Sequence, residues 1–134
     1  MLFRSTLFHY TVEDDGLSQP WTGFVWCNPP YGAEAAKWLA KLADHGSGIA
    51  LIFARTETAM FVEQVWCRAD ALLFIHGRLH FHHVDGQRAK ANSGAPSVLV
   101  AYGREAVARL AHSQIDGTLV KGWARPVIER RRAA

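Results

Sequence analysis

The fold is decided by the stretch Phe24-Val25-Trp26-Cys27-Asn28-Pro29-Pro30-Tyr31, in which a short apolar run leads into two consecutive prolines. Because proline has no N–H group and a fixed φ, a strand that contains the apolar run must end at this point. Ligands of open α/β sheets bind at the carboxyl ends of the strands. We therefore predict a rigid turn, Asn28–Tyr31, at the ligand-binding edge of a sheet.

Strands and helices are predicted to alternate along the rest of the chain. Apolar residues at the spacing i, i+3, i+4, i+7 predict a helix that opens near Glu34, ends at Gly46 and buries Ala35, Trp38, Leu39 and Leu42. A second helix is predicted from Thr56 or Thr58 to near Asp70, and a third at 105–111. The predicted strands lie at 24–27, 49–53, 71–75, 97–102 and 118–123, with an extended continuation at 79–82.

The composition indicates one globular domain that spans residues 1–134. Hydrophobic residues make up 49% of the chain, and no apolar stretch approaches the ~20 residues that cross a bilayer. The start of the chain does not resemble a signal peptide, so we expect a cytoplasmic protein with Cys27 and Cys67 as buried free thiols. The net charge of +3 is compatible with nucleic-acid binding without requiring it.

The double-proline turn offers groups that suit an exocyclic amine of a planar base. The side-chain oxygen of Asn28 and the carbonyl of Pro29 are both able to accept hydrogen bonds from an –NH2 group. Acceptors placed off the plane of a conjugated amine favour a tetrahedral nitrogen, which is the more nucleophilic form. Tyr31 offers a ring on which an extruded base stacks. The alternative is a rigid strand-ending turn without chemistry.

Five segments together carry a family resemblance. They are Asp14-Asp15-Gly16-Leu17-Ser18-Gln19-Pro20-Trp21, Val25-Trp26-Cys27-Asn28-Pro29-Pro30-Tyr31-Gly32, Ala54-Arg55-Thr56-Glu57-Thr58, Phe74-Ile75-His76-Gly77-Arg78-Leu79-His80-Phe81 and Ala95-Pro96-Ser97. In these segments, over roughly residues 8–103, the chain resembles the phage-type DNA N-6-adenine-methyltransferase (Dam) family.

This resemblance implies a function, a cofactor and a fold. It implies methyl transfer from S-adenosylmethionine to the adenine amine of DNA, in a host bacterium and from a phage or prophage gene. The implied α/β fold is a partial class I (Rossmann-like) methyltransferase sheet, mostly parallel with a late antiparallel strand pair. Asn28, Pro29, Pro30 and Tyr31 are implied to form the target-amine site.

Two acidic residues and several basic residues are secondary candidates. Asp14 and Asp15 are candidates for cofactor contact, although an Asp-Gly turn is the interpretation we favour. Arg55 and Arg78 follow predicted strands, where they would contact phosphate or substrate or else form surface ion pairs.

Two further basic segments are candidates for contact with DNA. Arg88 and Lys90 belong to a polar loop at 83–95 that lies along DNA or is simply solvated. The basic tail, 124–134, is open to the same two interpretations.

The histidines at 80, 82 and 83 raise the question of a metal site. Alternation with Leu79 and Phe81 places His80 and His82 together on the outer face of an extended segment, and no neighbouring cluster of cysteines or carboxylates completes a ligand set. We therefore predict no metal.

The segment before the motif strand departs from the resemblance. Such enzymes carry an earlier strand with an acidic or Gly-rich turn for the cofactor, and residues 1–23 do not show that pattern. We therefore expect an N-terminally truncated domain. Because the cofactor segment is missing, an alternative function stays open. In that alternative the chain is a catalytically inactive remnant or a split-enzyme half that binds nucleic acid or a partner chain. A second chain that completes the sheet is part of that alternative.

Overall fold

The computed structural model describes residues 15–79 and 94–127, together with the backbone of two short strands at 2–3 and 9–10. The strands are β1 (Leu2–Phe3), β2 (His9–Tyr10), β3 (Val25–Cys27), β4 (Gly48–Phe53), β5 (Ala71–Ile75), β6 (Ser97–Tyr102) and β7 (Gly117–Lys121). The helices are α1 (Glu34–His45), α2 (Ala59–Phe61), which continues as a π-helical segment at Val62–Trp66, and α3 (Arg104–Ala111).

These strands form one sheet in the order β2-β1-β3-β4-β6-β5-β7. Within this sheet β3 and β4 are the one parallel pair, and all other neighbours are antiparallel. The prediction of a mostly parallel sheet was therefore wrong. The reason is that β6 lies antiparallel between β4 and β5, and a strand buried on both faces has the same apolar pattern in either direction.

Despite the antiparallel pairing, β3, β4 and β5 all point the same way. β3 is parallel to β4, and β4 and β5 are each antiparallel to the intervening β6. The carboxyl ends of β3, β4 and β5 consequently meet at one edge of the sheet. We call this edge the carboxyl edge.

Helices cover both faces of the sheet. On one face Trp38, Leu39 and Leu42 of α1 pack with Phe61 and Val65 against inward residues of the strands. On the other face Ala106 and Leu110 of α3 pack against alternate residues of the same strands, including Leu73 and Leu99. The predicted α/β class is therefore confirmed in its coarse form, with a sheet between two helical layers.

The first predicted helix is confirmed in detail. Its buried side chains are Ala35, Trp38, Leu39 and Leu42, and it ends at Gly46, whose φ of 77° is the left-handed conformation that helix ends commonly require.

The second predicted helix is a short α2 followed by π-helical backbone. Thr58 caps α2 by accepting a hydrogen bond from the Phe61 N–H at 3.3 Å, and the Cys67 N–H donates to the Val62 carbonyl at 3.1 Å. The Trp66 carbonyl accepts from Trp123 Nε1 at 2.8 Å and from Arg125 Nη1 at 2.9 Å. Arg125, the first arginine of the predicted basic tail, is thus bonded to the protein itself, and residues 128–134 lie outside the described part.

The last predicted helix and the last predicted strand agree with the structure at their ends to within two residues. The predicted helix at 105–111 is α3, and the strand predicted at 118–123 is β7, one residue earlier at its start and two at its end. Leu79 is not part of a strand, and the rest of the extended segment predicted at 79–82 lies outside the described residues. No helix in the described ranges is long and apolar enough to cross a membrane.

The two cysteines are free but differ in burial, because Cys27 is buried and Cys67 is only half-buried. The prediction of two buried thiols is thus correct for Cys27 alone. Burial raises the pKa of the Cys27 thiol to about 12, so its reactive thiolate is scarce at neutral pH.

We expect iodoacetamide to label Cys67 and to leave Cys27 unlabelled in the folded protein at mildly alkaline pH, because access and thiolate content both protect Cys27. Mass spectrometry of the intact protein should show one adduct, and a second after denaturation. Cys67→Ser should show none while folded. Rapid labelling of Cys27 in that variant would contradict the burial of its side chain.

Candidate active site

The register of β3 against β4 determines what surrounds the double-proline turn. Cys27, the last residue of β3, is level with Ala50, and β4 continues for three more residues to Phe53. The turn Asn28–Tyr31 therefore begins beside the last three residues of β4. This juxtaposition brings the turn to the carboxyl edge, as the sequence predicts.

The turn itself alternates between buried and exposed positions. Pro29 is buried, whereas Asn28, Pro30 and Tyr31 are exposed. Gly32 follows with a φ of 93°, which favours glycine, and its carbonyl accepts a hydrogen bond from the Ala35 N–H at 3.2 Å. The chain thus passes from strand to helix α1 in six residues, with the amide and the aromatic ring on the solvent side.

Tyr31 of this turn forms an aromatic pair with Phe53, the last residue of β4. The rings of Tyr31 and Phe53 lie face to face, with centroids 4.6 Å apart and planes 7° from parallel. The Tyr31 side chain is still 58% exposed, and its partial burial raises the pKa of its hydroxyl. In this structure Tyr31 therefore stacks on a neighbouring protein ring, in the manner that we predict for a base.

A cavity of about 370 Å³ lies between the turn and the start of α2. Pro29, Pro30 and Tyr31 form one wall, and Phe53, Arg55 and Met60 contribute to the other. This volume is within the range of small-molecule sites. Arg55 is the one charged side chain among the described lining residues, so the cavity is otherwise apolar with few polar groups.

The segment that carries Arg55 is held by backbone hydrogen bonds. The Ala54 N–H donates to the Pro96 carbonyl at 2.8 Å, and the Arg55 N–H donates to the Phe53 carbonyl at 2.9 Å. The Thr58 hydroxyl donates to the Arg55 carbonyl at 2.8 Å. With its backbone fixed, the exposed Arg55 guanidinium stays near the cavity, 5.6 Å from the centroid of the Phe53 ring.

Arg78 shares the carboxyl edge but does not line the cavity. It is exposed and lies three residues beyond the end of β5. Just before it, His76 bonds through Nδ1 to Asp116 at 2.9 Å and through Nε2 to Thr118 at 2.8 Å, which connects the end of β5 to the start of β7. The predicted DNA contacts Arg88 and Lys90 lie outside the described residues.

Asp15 lies in a turn held against α1 rather than in the cavity lining. It has a positive φ of 47°, and its side-chain oxygen accepts a hydrogen bond from the Ser18 hydroxyl at 2.9 Å. The Lys41 ammonium donates to the Leu17 carbonyl at 2.6 Å and also bonds the Gln19 carbonyl. Burial lowers the pKa of Lys41, and the nearby Asp15 carboxylate opposes this. The local geometry is that of the Asp-Gly turn, and Asp14 lies outside the described residues.

The metal question concerns residues that the structure does not describe, because His80, His82 and His83 are all outside the described ranges. In the ranges that it does describe, no three histidine, cysteine or acidic side chains are placed to hold an ion together.

Phe53, Thr58 and Met60 are site residues that the sequence reasoning missed. A signal for Phe53 was present, because it ends an apolar run at the carboxyl end of a predicted strand. The sequence indicates Thr58 and Met60 as site residues less clearly. Their position in the cavity lining depends on the residue at which α2 begins.

The chain matches a known protein family. A family model described as DNA N-6-adenine-methyltransferase (Dam) matches residues 5–115, which includes the turn, the cavity and the ends of β4 and β5. No curated protein and no solved structure matches the chain significantly.

Proposed function

The chain belongs to the DNA N-6-adenine-methyltransferase (Dam) family, and from this premise we propose that it transfers the methyl group of S-adenosylmethionine to the exocyclic amine of adenine at a specific site in DNA. The observation that carries the proposal is the position of the double-proline turn at the carboxyl edge, where Pro29, Pro30 and Tyr31 line the cavity and Asn28 directly precedes them. The family alone supports DNA adenine methylation in general, and the turn supplies the groups that would perform it.

The turn would act on the amine by accepting hydrogen bonds. In free adenine the amine nitrogen is conjugated with the ring and is a poor nucleophile. Acceptors at the Asn28 side chain and the Pro29 carbonyl would draw the two protons out of the ring plane and direct the lone pair at an electrophile. Positive charge then builds on nitrogen, so the same acceptors stabilise the transition state more than the ground state.

The residues that line the cavity support binding of the cofactor less than they support binding of the adenine base. S-adenosylmethionine would supply an electrophilic methyl carbon, and it carries an ammonium group and ribose hydroxyls that need acceptors. The described lining contains Arg55 and no carboxylate, so it does not fit these polar parts. Asp14 and Asp15 are the candidate contacts that the sequence offers, although Asp15 lies in the Asp-Gly turn and not in the cavity lining.

DNA contact is proposed for the basic residues of the carboxyl edge. Arg55 and Arg78 follow β4 and β5 at the edge where the cavity opens, so both would be near the backbone of a DNA strand whose base enters it. Arg88 and Lys90 are proposed as further phosphate contacts. Because a paired adenine is buried in the stack, the target base must leave the helix before the turn reaches its amine.

The lack of a carboxylate in the described lining also favours a second candidate function. A chain with the amine site but without a complete cofactor site would bind nucleic acid, or would act as one half of a split enzyme. In that case a partner chain would complete the cofactor site.

Two measurements together test the proposal. The protein is incubated with S-adenosylmethionine and DNA that lacks N6-methyladenine, and the DNA is digested to nucleosides for mass spectrometry. Isothermal titration measures cofactor binding separately. We expect N6-methyladenine to form and heat to be released on titration. If neither occurs at millimolar protein and cofactor, the autonomous enzyme is excluded and the second candidate is retained.

A further inference from the structure

The face-to-face contact of Tyr31 with Phe53 occupies space that a planar ligand would otherwise fill. Both rings line the cavity, and their centroids are 4.6 Å apart with planes 7° from parallel. Aromatic side chains stack on nucleobases with similarly near-parallel planes, because every base has a flat π-face. The pair therefore has the geometry of a stacking site in which one protein ring takes the place of the ligand.

The two rings differ in how firmly the backbone holds them. Phe53 ends the six-residue strand β4, is level with the buried Ser97 of β6, and is followed by a tight turn bonded to the Pro96 carbonyl. Tyr31 lies in an exposed turn, and its neighbour Gly32 has open space around it and a positive φ of 93°. Phe53 is thus a fixed wall, and Tyr31 is the ring that is able to move.

From this asymmetry we propose that Phe53 is a substrate-positioning residue, and that the target adenine enters between Phe53 and Tyr31. A base between two rings needs their planes to be about 7 Å apart, twice the ~3.4 Å repeat of stacked nucleotides. The two ring planes must therefore move apart to admit the base. Tyr31 makes this outward movement, while Phe53 stays in place. The inference rests on the proposed function, because it takes the adenine of DNA as the ligand.

A sandwich is favoured over stacking on Tyr31 alone by the surfaces involved. Stacking on the outer face of Tyr31 would cover one face of the base and leave the Tyr31–Phe53 contact intact. Insertion covers both faces of the base. The facing surfaces of Tyr31 and Phe53, which now contact each other, would contact the base instead and so stay covered. Insertion also brings the base into the cavity that Pro29, Pro30 and Tyr31 of the turn line.

Binding of unmethylated oligonucleotides tests this inference without methyl transfer and without knowledge of the recognition sequence. Fluorescence anisotropy compares oligodeoxyadenylate with an abasic strand of equal length. Both strands carry phosphates, but the abasic strand lacks the bases that oligodeoxyadenylate carries. We expect the wild-type protein to prefer oligodeoxyadenylate, and Phe53→Leu to lower this preference about tenfold while leaving affinity for the abasic strand unchanged.

Matched variants separate stacking from folding. Phe24→Leu removes another half-buried aromatic ring, one that contacts Trp26 and Arg109 in the other core cluster, and it should keep the full preference. Phe53→Met keeps an apolar side chain of similar length without a ring and should behave like Phe53→Leu. Tyr31→Leu, at an exposed position, should also lose the preference.

Three results would overturn the inference. The first is a wild-type protein with no preference for the base-containing strand, and the second is an unchanged preference in both Phe53 variants. The third is weaker S-adenosylmethionine binding in Phe53→Leu with the preference for oligodeoxyadenylate intact. In that case the space between Phe53 and Tyr31 would hold the adenine of the cofactor. A failure of the proposed function is distinct from these, since it would appear as absent N6-methyladenine in the wild-type assay.

Discussion

Replacing Asn28 by alanine should lower the rate of adenine methylation by about 10²–10³-fold, the usual cost of removing one hydrogen-bonding group that acts mainly in the transition state. The mutation deletes the side-chain oxygen that we propose as one of two acceptors for the amine, and Pro29 still supplies the other. Initial rates of N6-methyladenine formation at saturating DNA measure the effect. The loss should lie in kcat, because charge on the amine nitrogen builds after the base is bound.

Two further variants sharpen the Asn28 experiment. Asn28→Asp keeps an acceptor oxygen at the same position, so it should retain far more activity than Asn28→Ala. Gln64→Ala removes an amide from the π-helical segment, where it bonds Arg68, and it should leave the rate unchanged. If Asn28→Ala keeps a wild-type kcat while thermal unfolding shows an intact fold, the assigned role of Asn28 is wrong.

Replacing Gly103 by alanine should destabilise the protein by about 3 kcal/mol or more, a large part of the stability of a small domain. Gly103 joins β6 to α3 with a φ of 93°, where a Cβ atom is strained. A Cβ built there would also lie 2.1 Å from the Gly46 carbonyl oxygen, which is backbone at the end of α1 and has little room to move. Urea unfolding followed by circular dichroism measures the difference.

Gly122 provides the matched control for Gly103. It also has a positive φ, of 69°, but a Cβ atom there would meet nothing within 4 Å. Gly122→Ala should therefore cost only the strain of the left-handed backbone, about 1 kcal/mol. Equal losses in the two variants would show that the contact with Gly46 has no energetic importance.

The sequence predicts those parts of the fold that local patterns determine. Helix α1 follows from four apolar residues on one face and a glycine at its end, and both the spacing and the left-handed glycine are local properties. The direction of β6 is different. All six of its residues are buried, so its pattern is that of any strand covered on both faces, and only its partners decide whether it runs parallel or antiparallel.

The same distinction applies to the candidate site. The turn Asn28–Tyr31 is predictable because two prolines end a strand whatever its neighbours are. The contact between Tyr31 and Phe53 depends on Cys27 being level with Ala50, which is a matter of register between strands. A shift of the register would bring a different β4 residue beside the turn, and nothing local in the sequence determines that alignment.

The insertion of β6 between β4 and β5 has a consequence for how the chain acquires its structure. β6 follows both of its neighbours in the sequence, and its pairing with β4 joins residues as distant as Gly48 and Tyr102. Until residues 97–102 leave the ribosome, the facing edges of β4 and β5 have no strand between them to bond their N–H and C=O groups. A long loop must also close before that strand contributes any contact. We therefore expect slow, concerted folding, with aggregation through these edges as the main competing process during synthesis.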